Sequence, residues 1–158
     1  MTEADDALVQ AIVAASRALV ALTAASMDAS PVEVTLGQFR VLVLLSGRGP
    51  QRMSGLGSEV GLSPSSITRM VERLERKGLV SRRRSPSSRR AIDIHLTNAG
   101  ADLVANVIDV RQRAIRAIID SLPEEDRRGM RRSFEEFARA AGEPVSDRVG
   151  GPAPSEAR

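Results

Sequence analysis

The 158-residue sequence contains no cysteine, which excludes disulfides, thiolate metal ligands and sensing by thiol oxidation. It contains a single histidine, His95, so a metal site built from histidines is not expected. No set of acid, base and nucleophile of the kind that catalysis requires stands out among the other residue types. The composition therefore predicts a protein that is not an enzyme and that holds no metal or cofactor.

Aromatic residues are also scarce, at 2% of the chain, and the only ones are Phe39, Phe134 and Phe137. The core must therefore be built from aliphatic side chains. The N-terminal stretch MTEADDALVQ is acidic and lacks the basic region of a signal peptide. The longest uninterrupted apolar run, VLVLL, is too short to cross a bilayer. We therefore expect a cytoplasmic protein without a membrane partner.

Positive charge is concentrated in one segment of the chain. Residues 64–90 contain nine basic residues and only two acids, Glu72 and Glu75, which gives a net charge of +7. Because the whole chain carries +3, the remaining residues sum to −4. Five arginines occupy the nine positions from Arg82 to Arg90, where they repel one another unless an external anion neutralises them. A basic segment inside an otherwise acidic chain is typical of nucleic-acid binding.

The first helix is predicted over residues 5–27, from apolar residues that recur at helical spacing. These residues cover about 180° of the helical wheel, whereas a surface helix needs a stripe of roughly 100°. The extra width suggests two partners, the chain's own domain and another subunit. One stripe consists of Leu8, Ile12, Ala15, Leu19 and Leu22, and a second of Val9, Val13 and Val20.

The middle of the chain is predicted to form three short helices and a hairpin. Thr35 and Gln38 have the spacing of a capping box and open the first of these helices, and the stretch MSGLGSEVG forms the next. Ser63 is a good N-cap and Pro64 fits the first turn of the third helix, which Gly78 ends. The stretches LVSRRR and AIDIHL then read as two strands, since apolar and polar residues alternate in the second.

Two longer helices are predicted after the hairpin. Thr97 begins a helix that runs to Ser121. Ser121 and Glu124 have the spacing of a second capping box, which opens a helix to about Ala141. Residues 142–158 are rich in glycine and proline and are predicted to form a flexible tail.

This order of elements predicts a mainly α fold with a small β-hairpin wing, a winged helix-turn-helix over residues 50–97 or so. The helix from Pro64 to Lys77 would fit the DNA major groove, with its N-terminal residues toward the base edges. The hairpin tip would then lie beside the phosphates and the adjacent minor groove, and the neutralising anion would be DNA. Two alternatives stay open: a charged face that is merely solvated, and a winged helix that binds other proteins without operator specificity.

The chain resembles the MarR family of bacterial transcription regulators over residues 5 to 141. The resemblance rests on TLGQFRVLVLL, GLSPSSITRMVERLERKGLVSRR, SPSSRR and LTNAG, and on their order and spacing. It implies one domain of residues 1–141, with a helical dimerisation region at about 5–27 and 98–141. It also implies a homodimer on a pseudo-palindromic double-stranded DNA operator. Many members are repressors that a small, often aromatic or anionic, ligand releases from DNA.

The resemblance also points to DNA contacts. Arg69 matches the recognition-helix arginine of the family, and Arg89 the arginine at its wing tip. The family wing usually reads Asp-Arg-Arg, but here Ser88 replaces the aspartate, which removes an ion pair that can hold a wing arginine in place. The predicted DNA-binding set is Ser65, Ser66, Thr68, Arg69, Arg73, Arg82, Arg84, Arg89 and Arg90.

Arg111 is the unexpected residue of the long helix. It falls inside the apolar arc of that helix, and a buried arginine needs a partner. One interpretation is an ion pair with an acid of the other subunit. The alternative is that Arg111 binds a small anionic effector.

Overall fold

A computed structural model describes residues 3–85 and 88–142, with the backbone alone for residues 88–90. The predicted tail lies, from residue 143 onward, outside the described residues. The described residues form two units: a helical unit of residues 3–29 and 109–142, and a winged-helix unit of residues 30–85 and 88–108. In chain order the elements are α1 (Glu3–Asp28), α2 (Leu36–Arg48), β1 (Gln51–Arg52), α3 (Met53–Val60), α4 (Pro64–Arg76), β2 (Val80–Ser85), β3 (Ser88–Leu96), α5 (Asn98–Asp120) and α6 (Glu124–Ala140).

The winged-helix unit contains nearly all of the buried hydrophobic side chains. Of seventeen such residues among those described, sixteen lie in this unit, and Met27 alone lies in the helical unit. The core is aliphatic apart from Phe39, as the composition predicts. Its fully buried members come from α2, α3, α4, the strands and the first turns of α5, and include Leu42, Leu56, Val71, Ile94 and Val104.

The wing, the β2–β3 hairpin, belongs to a sheet of three strands in the order β1-β3-β2, with both pairings antiparallel. The hairpin is as predicted, but β1 is an addition. Gln51 and Arg52 pair with Ile94 and Asp93 of β3. A strand of two residues shows no alternation, so only its partner reveals it.

The N-termini of α2 and α4 have the side-chain caps that the sequence predicts. At α2 both capping-box hydrogen bonds are present, with Thr35 Oγ1 accepting from Gln38 N–H at 3.2 Å and Gln38 Oε1 accepting from Thr35 N–H at 3.1 Å. At α4 the Ser63 hydroxyl accepts from the backbone N–H of Ser66 at 3.3 Å, and Pro64 occupies the first turn, as predicted.

The second predicted capping box, at Ser121, is wrong. The N-cap of α6 is Pro123, which makes no side-chain cap hydrogen bond. The hydroxyl of Ser121 instead donates to the carbonyl of Ile118 at 2.6 Å, so it closes the end of α5. The residue spacing was suitable, but the hydroxyl already had a nearer acceptor in the preceding helix.

Two glycines allow backbone elements to approach closely in the winged-helix unit. A Cβ built on Gly100 would lie 2.2 Å from the carbonyl oxygen of Leu79, so α5 begins directly against the start of the wing. A Cβ on Gly57 would lie 3.3 Å both from Ile67 Cγ2 and from the carbonyl oxygen of Leu62, where α3 turns toward α4. Packing, and not backbone torsion, therefore demands glycine at position 100, while at position 57 it leaves a side chain only a tight fit.

The helical unit is poorly filled. Its three helical segments surround a partly open cavity of about 640 Å³, lined mainly by apolar side chains. Ten of the twelve large hydrophobic residues that are exposed among those described also belong to this unit. The cavity lining includes Leu19 and Leu22 of α1, Ile115 and Ile119 of α5, and Met130 and Phe134 of α6.

Helix α1 is also long and apolar enough to cross a membrane, with a mean hydropathy of 1.8, and among the described helices it alone meets that test of length and composition. The sequence argument from uninterrupted apolar runs overlooked this property. Alanines and short apolar groups between serines and threonines raise the average without forming a long run. Because core helices of soluble proteins meet the same test, the composition of α1 does not by itself assign its environment.

Candidate nucleic-acid interface

Helix α4, the candidate recognition helix, separates its buried and exposed faces sharply. Ile67, Val71 and Leu74 are buried against the core, at the spacing of one helical face. On the opposite side Arg69 and Arg73 are exposed, and neither forms an ion pair within residues 3–85 and 88–142. Two guanidinium groups are therefore available to an external anion.

The predicted hydroxyl contacts lie at the N-terminus of α4. Ser65 is exposed, whereas Ser66 and Thr68 are half-buried. The Ser63 hydroxyl lies 3.2 Å from that of Ser65 and 2.9 Å from that of Ser66, and Thr68 donates to the carbonyl of Pro64 at 2.7 Å. All three hydroxyls thus have local partners, and Ser65 is the most accessible from outside because it alone of the three is fully exposed.

The wing arginines do not share one environment. Arg83 and Arg84 are exposed on β2. Arg82 is half-buried, and its guanidinium lies beside α4, where Nε is 3.1 Å from Glu75 Oε2 and Nη2 is 3.8 Å from Glu72 Oε1. Of the remaining predicted contacts, the side chains of Arg89 and Arg90 lie outside the part of the chain that the structure describes.

The sequence contained a signal for the different position of Arg82 that the charge argument overlooked. Side chains alternate along a strand, so Arg82 shares a face with Val80, which is buried. Its cross-strand partner, Ile94, is also fully buried. An arginine on a core-facing strand position is expected to have a partner, and Glu72 and Glu75 are the two acids nearby in sequence.

A further link joins the end of α4 to the segment before α2. Lys77, the only lysine of the chain, is the C-cap of α4 and donates a hydrogen bond from Nζ to the backbone carbonyl of Glu33. This contact holds the C-terminal end of α4 to that segment, whereas the Ser63 cap closes the first turn of α4 itself.

Arg111 lies on α5 and is half-buried. Within the described ranges, 3–85 and 88–142, no ion pair or hydrogen bond of its side chain is found. It is not among the residues that line the cavity of the helical unit. Neither the interface ion pair nor the effector site predicted for Arg111 is therefore tested.

The exposed side of α4 and the hairpin that follows it are chemically suited to bind a polyanion. Helix α4 presents arginines and a hydroxyl on its exposed side, and a basic hairpin follows it in the same unit. A helix of this size fits the major groove, and guanidinium groups bind phosphates and guanine edges. The class defined by this fold and this surface is the winged helix-turn-helix DNA-binding protein.

Comparison with known proteins specifies the family. The model of the MarR family matches residues 34–92, the segment from the end of the α1–α2 connection into β3. The fold is similar to a protein from Mycobacterium tuberculosis, RV1404, at 36% identity and a TM-score of 0.84, covering 94% of this chain and 100% of that one. A MarR family protein from Bacillus stearothermophilus is 25% identical, with a TM-score of 0.78 and coverages of 90% and 99%. The chain belongs to the MarR family of transcriptional regulators, which bind DNA.

The curated relatives are transcriptional regulators and not enzymes. The chain is 32% identical over 93 residues to the HTH-type transcriptional repressor MdtR of Bacillus subtilis, a match that covers 59% of this chain and 60% of that protein. Among the first three such relatives, the match spans only 58% to 61% of each relative's length. The chain thus spans about three fifths of the length of these curated relatives.

Proposed function

We propose that this protein is a cytoplasmic, homodimeric repressor that binds a pseudo-palindromic DNA operator and leaves it when a small anionic or aromatic ligand binds. The observation that carries the proposal is the outer face of α4, where Arg69 and Arg73 are exposed without an ion-pair partner among the described residues.

The proposed DNA interface has two parts with different tasks. Arg69 would bind a guanine edge in the major groove, because a guanidinium can donate two hydrogen bonds to one guanine. Arg89 would enter the minor groove, where arginine responds to groove width more than to base identity. The remaining proposed contacts, to bases or phosphates, are Ser65, Ser66, Thr68, Arg73, Arg84 and Arg90.

The homodimer is supported by the apolar surface of the helical unit. In the first predicted stripe of α1, Leu19 and Leu22 line the cavity. In the second stripe, Val9 and Val20 remain 50% and 58% exposed. Contiguous exposed apolar surface of this kind marks an interface, and a second copy of the same unit offers a matching surface.

A membrane is the other environment that α1 could enter, and one residue argues against it. Arg17 lies near the middle of α1, and an arginine at the centre of a spanning helix costs about 2.5–3.5 kcal/mol. In a dimer the same side chain can remain at the solvent edge of the interface. We therefore assign the apolar faces of α1 to contacts between helices.

Release by a ligand is supported by Arg111. A half-buried guanidinium that has no ion pair within the described residues is suited to bind a carboxylate or phenolate. Ligand binding at α5 could then change the distance between the two winged helices of a dimer, and so their fit to half-sites about one DNA turn apart.

The DNA proposal is tested by selecting bound fragments from genomic DNA and measuring their affinity at several salt concentrations. Arg69→Ala is expected to lose preference at one base pair per half-site, at a cost of roughly 1–3 kcal/mol. Arg116→Ala, an exposed arginine of α5, is the matched control and should bind like the parent protein. If the protein selects no sequence, or if both variants behave alike, it is an interaction module of another kind.

The dimer proposal is tested by light scattering at micromolar concentration, with Phe134→Asp as the disrupting variant. Phe134 is 47% exposed beside the cavity of the helical unit, so a charge there should separate the subunits if a second copy covers it. A monomeric parent protein, or fractionation of the parent with membranes, would contradict the proposal.

A further inference from the structure

We propose that Arg82 is a positioning residue, which holds the wing against the recognition helix through Glu72 and Glu75 and does not itself contact DNA. The inference rests on the proposed DNA-binding function and reassigns one of its arginines. It concerns how the two reading elements, α4 and the β2–β3 hairpin, keep a fixed geometry.

The geometry of the guanidinium supports this assignment. Its Nε lies 3.1 Å from Glu75 Oε2, and its Nη2 lies 3.8 Å from Glu72 Oε1. Both nitrogens are closed to solvent, and neither makes a hydrogen bond within the described residues, so their compensation is the charge of the two carboxylates. An arginine that bound phosphate would have to leave these acids and expose the nitrogens first.

The strand register of the wing also supports a positioning role for Arg82. Arg82 pairs with the fully buried Ile94, while Arg84, two residues further along β2, pairs with the exposed Ile92. Paired residues point to the same face of the sheet, so both arginines begin on one face. The arginine nearer the base of the wing meets α4, whereas Arg84, nearer the tip, is exposed and forms no ion pair with any residue that the structure describes, so it is available to a phosphate.

The acids on α4 need an explanation of their own. Glu72 and Glu75 are the only acidic residues between positions 64 and 90, and they lie on the helix proposed to enter the groove. They are three residues apart, so they share one side of the helix. Unpaired carboxylates would repel the DNA phosphates. Carboxylates paired with Arg82 instead attach the wing to α4, and the positive charge of Arg82 offsets most of that repulsion.

A positioning role for Arg82 predicts that removing a negative charge at Glu75 weakens DNA binding, the opposite of what charge repulsion alone predicts. Removing a negative charge beside DNA ordinarily strengthens binding. If Glu75 holds Arg82, and Arg82 holds the wing, Glu75→Gln should instead weaken operator binding, by up to about fivefold for the loss of one partly exposed ion pair. Arg82→Gln should weaken it to a similar degree, and the double variant should be no worse than either single one.

Salt titration separates positioning from phosphate contact. A lost phosphate contact lowers the slope of log affinity against log salt by about 0.9 for each contact. Arg84 lies on the same strand and face and is the matched control. Arg84→Gln should lower the slope by this amount for each wing of the dimer. Arg82→Gln should lose affinity with the slope unchanged. Glu72→Gln, at the longer distance of 3.8 Å, gives a milder variant should Glu75→Gln fold poorly.

A spectroscopic measurement tests the attachment of the wing without DNA. The chain has no cysteine, so a single Arg83→Cys substitution accepts one nitroxide label on exposed β2. The label is expected to become more mobile in Arg82→Gln and in Glu75→Gln, and to stay unchanged in Arg84→Gln. An equal line shape in all three variants would overturn the inference.

The outcomes distinguish this inference from the proposed function. If Glu75→Gln binds as tightly as the parent protein or more tightly, and Arg82→Gln lowers the salt slope as Arg84→Gln does, Arg82 contacts DNA and the inference fails alone. If Arg69→Ala and Arg84→Gln also leave affinity and slope unchanged, the winged-helix surface is not the DNA interface, and the proposed function fails with it.

Discussion

A single methyl group at Gly100 is expected to destabilise the protein, although alanine is the better helix former. Gly100 lies in the first turn of α5, and its N–H donates to Thr97 Oγ1 at 3.1 Å. An added Cβ would lie 2.2 Å from the carbonyl oxygen of Leu79 and 2.7 Å from Leu96 Cδ1. The leucine side chain can rotate, but the backbone oxygen can move only with the start of the wing.

The size of the effect follows from opposing contributions. Alanine gains about 1 kcal/mol over glycine within a helix. Overpacking a filled site costs about 1–3 kcal/mol. The Leu79 oxygen also accepts the N–H of Thr97 at 3.1 Å, so displacing it weakens a hydrogen bond with a net contribution of about 1 kcal/mol. We expect Gly100→Ala to lower the free energy of unfolding by roughly 1–3 kcal/mol.

Urea denaturation followed by circular dichroism measures this change, at one fixed protein concentration because a dimer unfolds with a concentration-dependent midpoint. Gly55→Ala is the matched control. A Cβ at Gly55 in α3 meets nothing closer than Gln51 Oε1 at 3.9 Å, so this variant should be stabilised by up to about 1 kcal/mol. If Gly100→Ala is as stable as Gly55→Ala, the close approach of α5 to the wing is not a constraint.

Three further predictions concern α4, α5 and the core. Ser63→Ala removes the acceptor of the Ser66 N–H, and should lower the free energy of unfolding by about 1 kcal/mol, with no change if the cap is unimportant. Arg111→Ala should preserve operator affinity and abolish release by a ligand in mobility-shift titrations; a lower melting temperature with normal release would assign Arg111 to an ion pair between subunits. Leu42→Ala, at a fully buried site, should lower the free energy of unfolding by about 2–5 kcal/mol in urea denaturation. A smaller loss would indicate that the core collapses into the space left by the leucine side chain.

Much of the winged helix could be predicted from the sequence because its signals are local. The capping box at Thr35 and the cap at Ser63 involve residues three apart, and such hydrogen bonds form wherever the chain turns into a helix. The alternation of AIDIHL likewise predicted strand β3, with Ile94 buried. The segregation of charge into residues 64–90 likewise led to the prediction of a DNA-binding surface, which stays a prediction.

Where a residue had two suitable partners, only the tertiary structure determined which partner it contacts. Ser121 had the spacing to cap α6, but the carbonyl of Ile118 was nearer. Gln51 and Arg52 became a strand only because β3 has a free edge beside them. The sequence grouped Arg82 with arginines predicted to contact DNA, yet the packing of β2 against α4 places it beside Glu72 and Glu75. Charge and periodicity follow from the order of residues along the chain, whereas the choice between competing partners depends on distances that exist only after the elements pack.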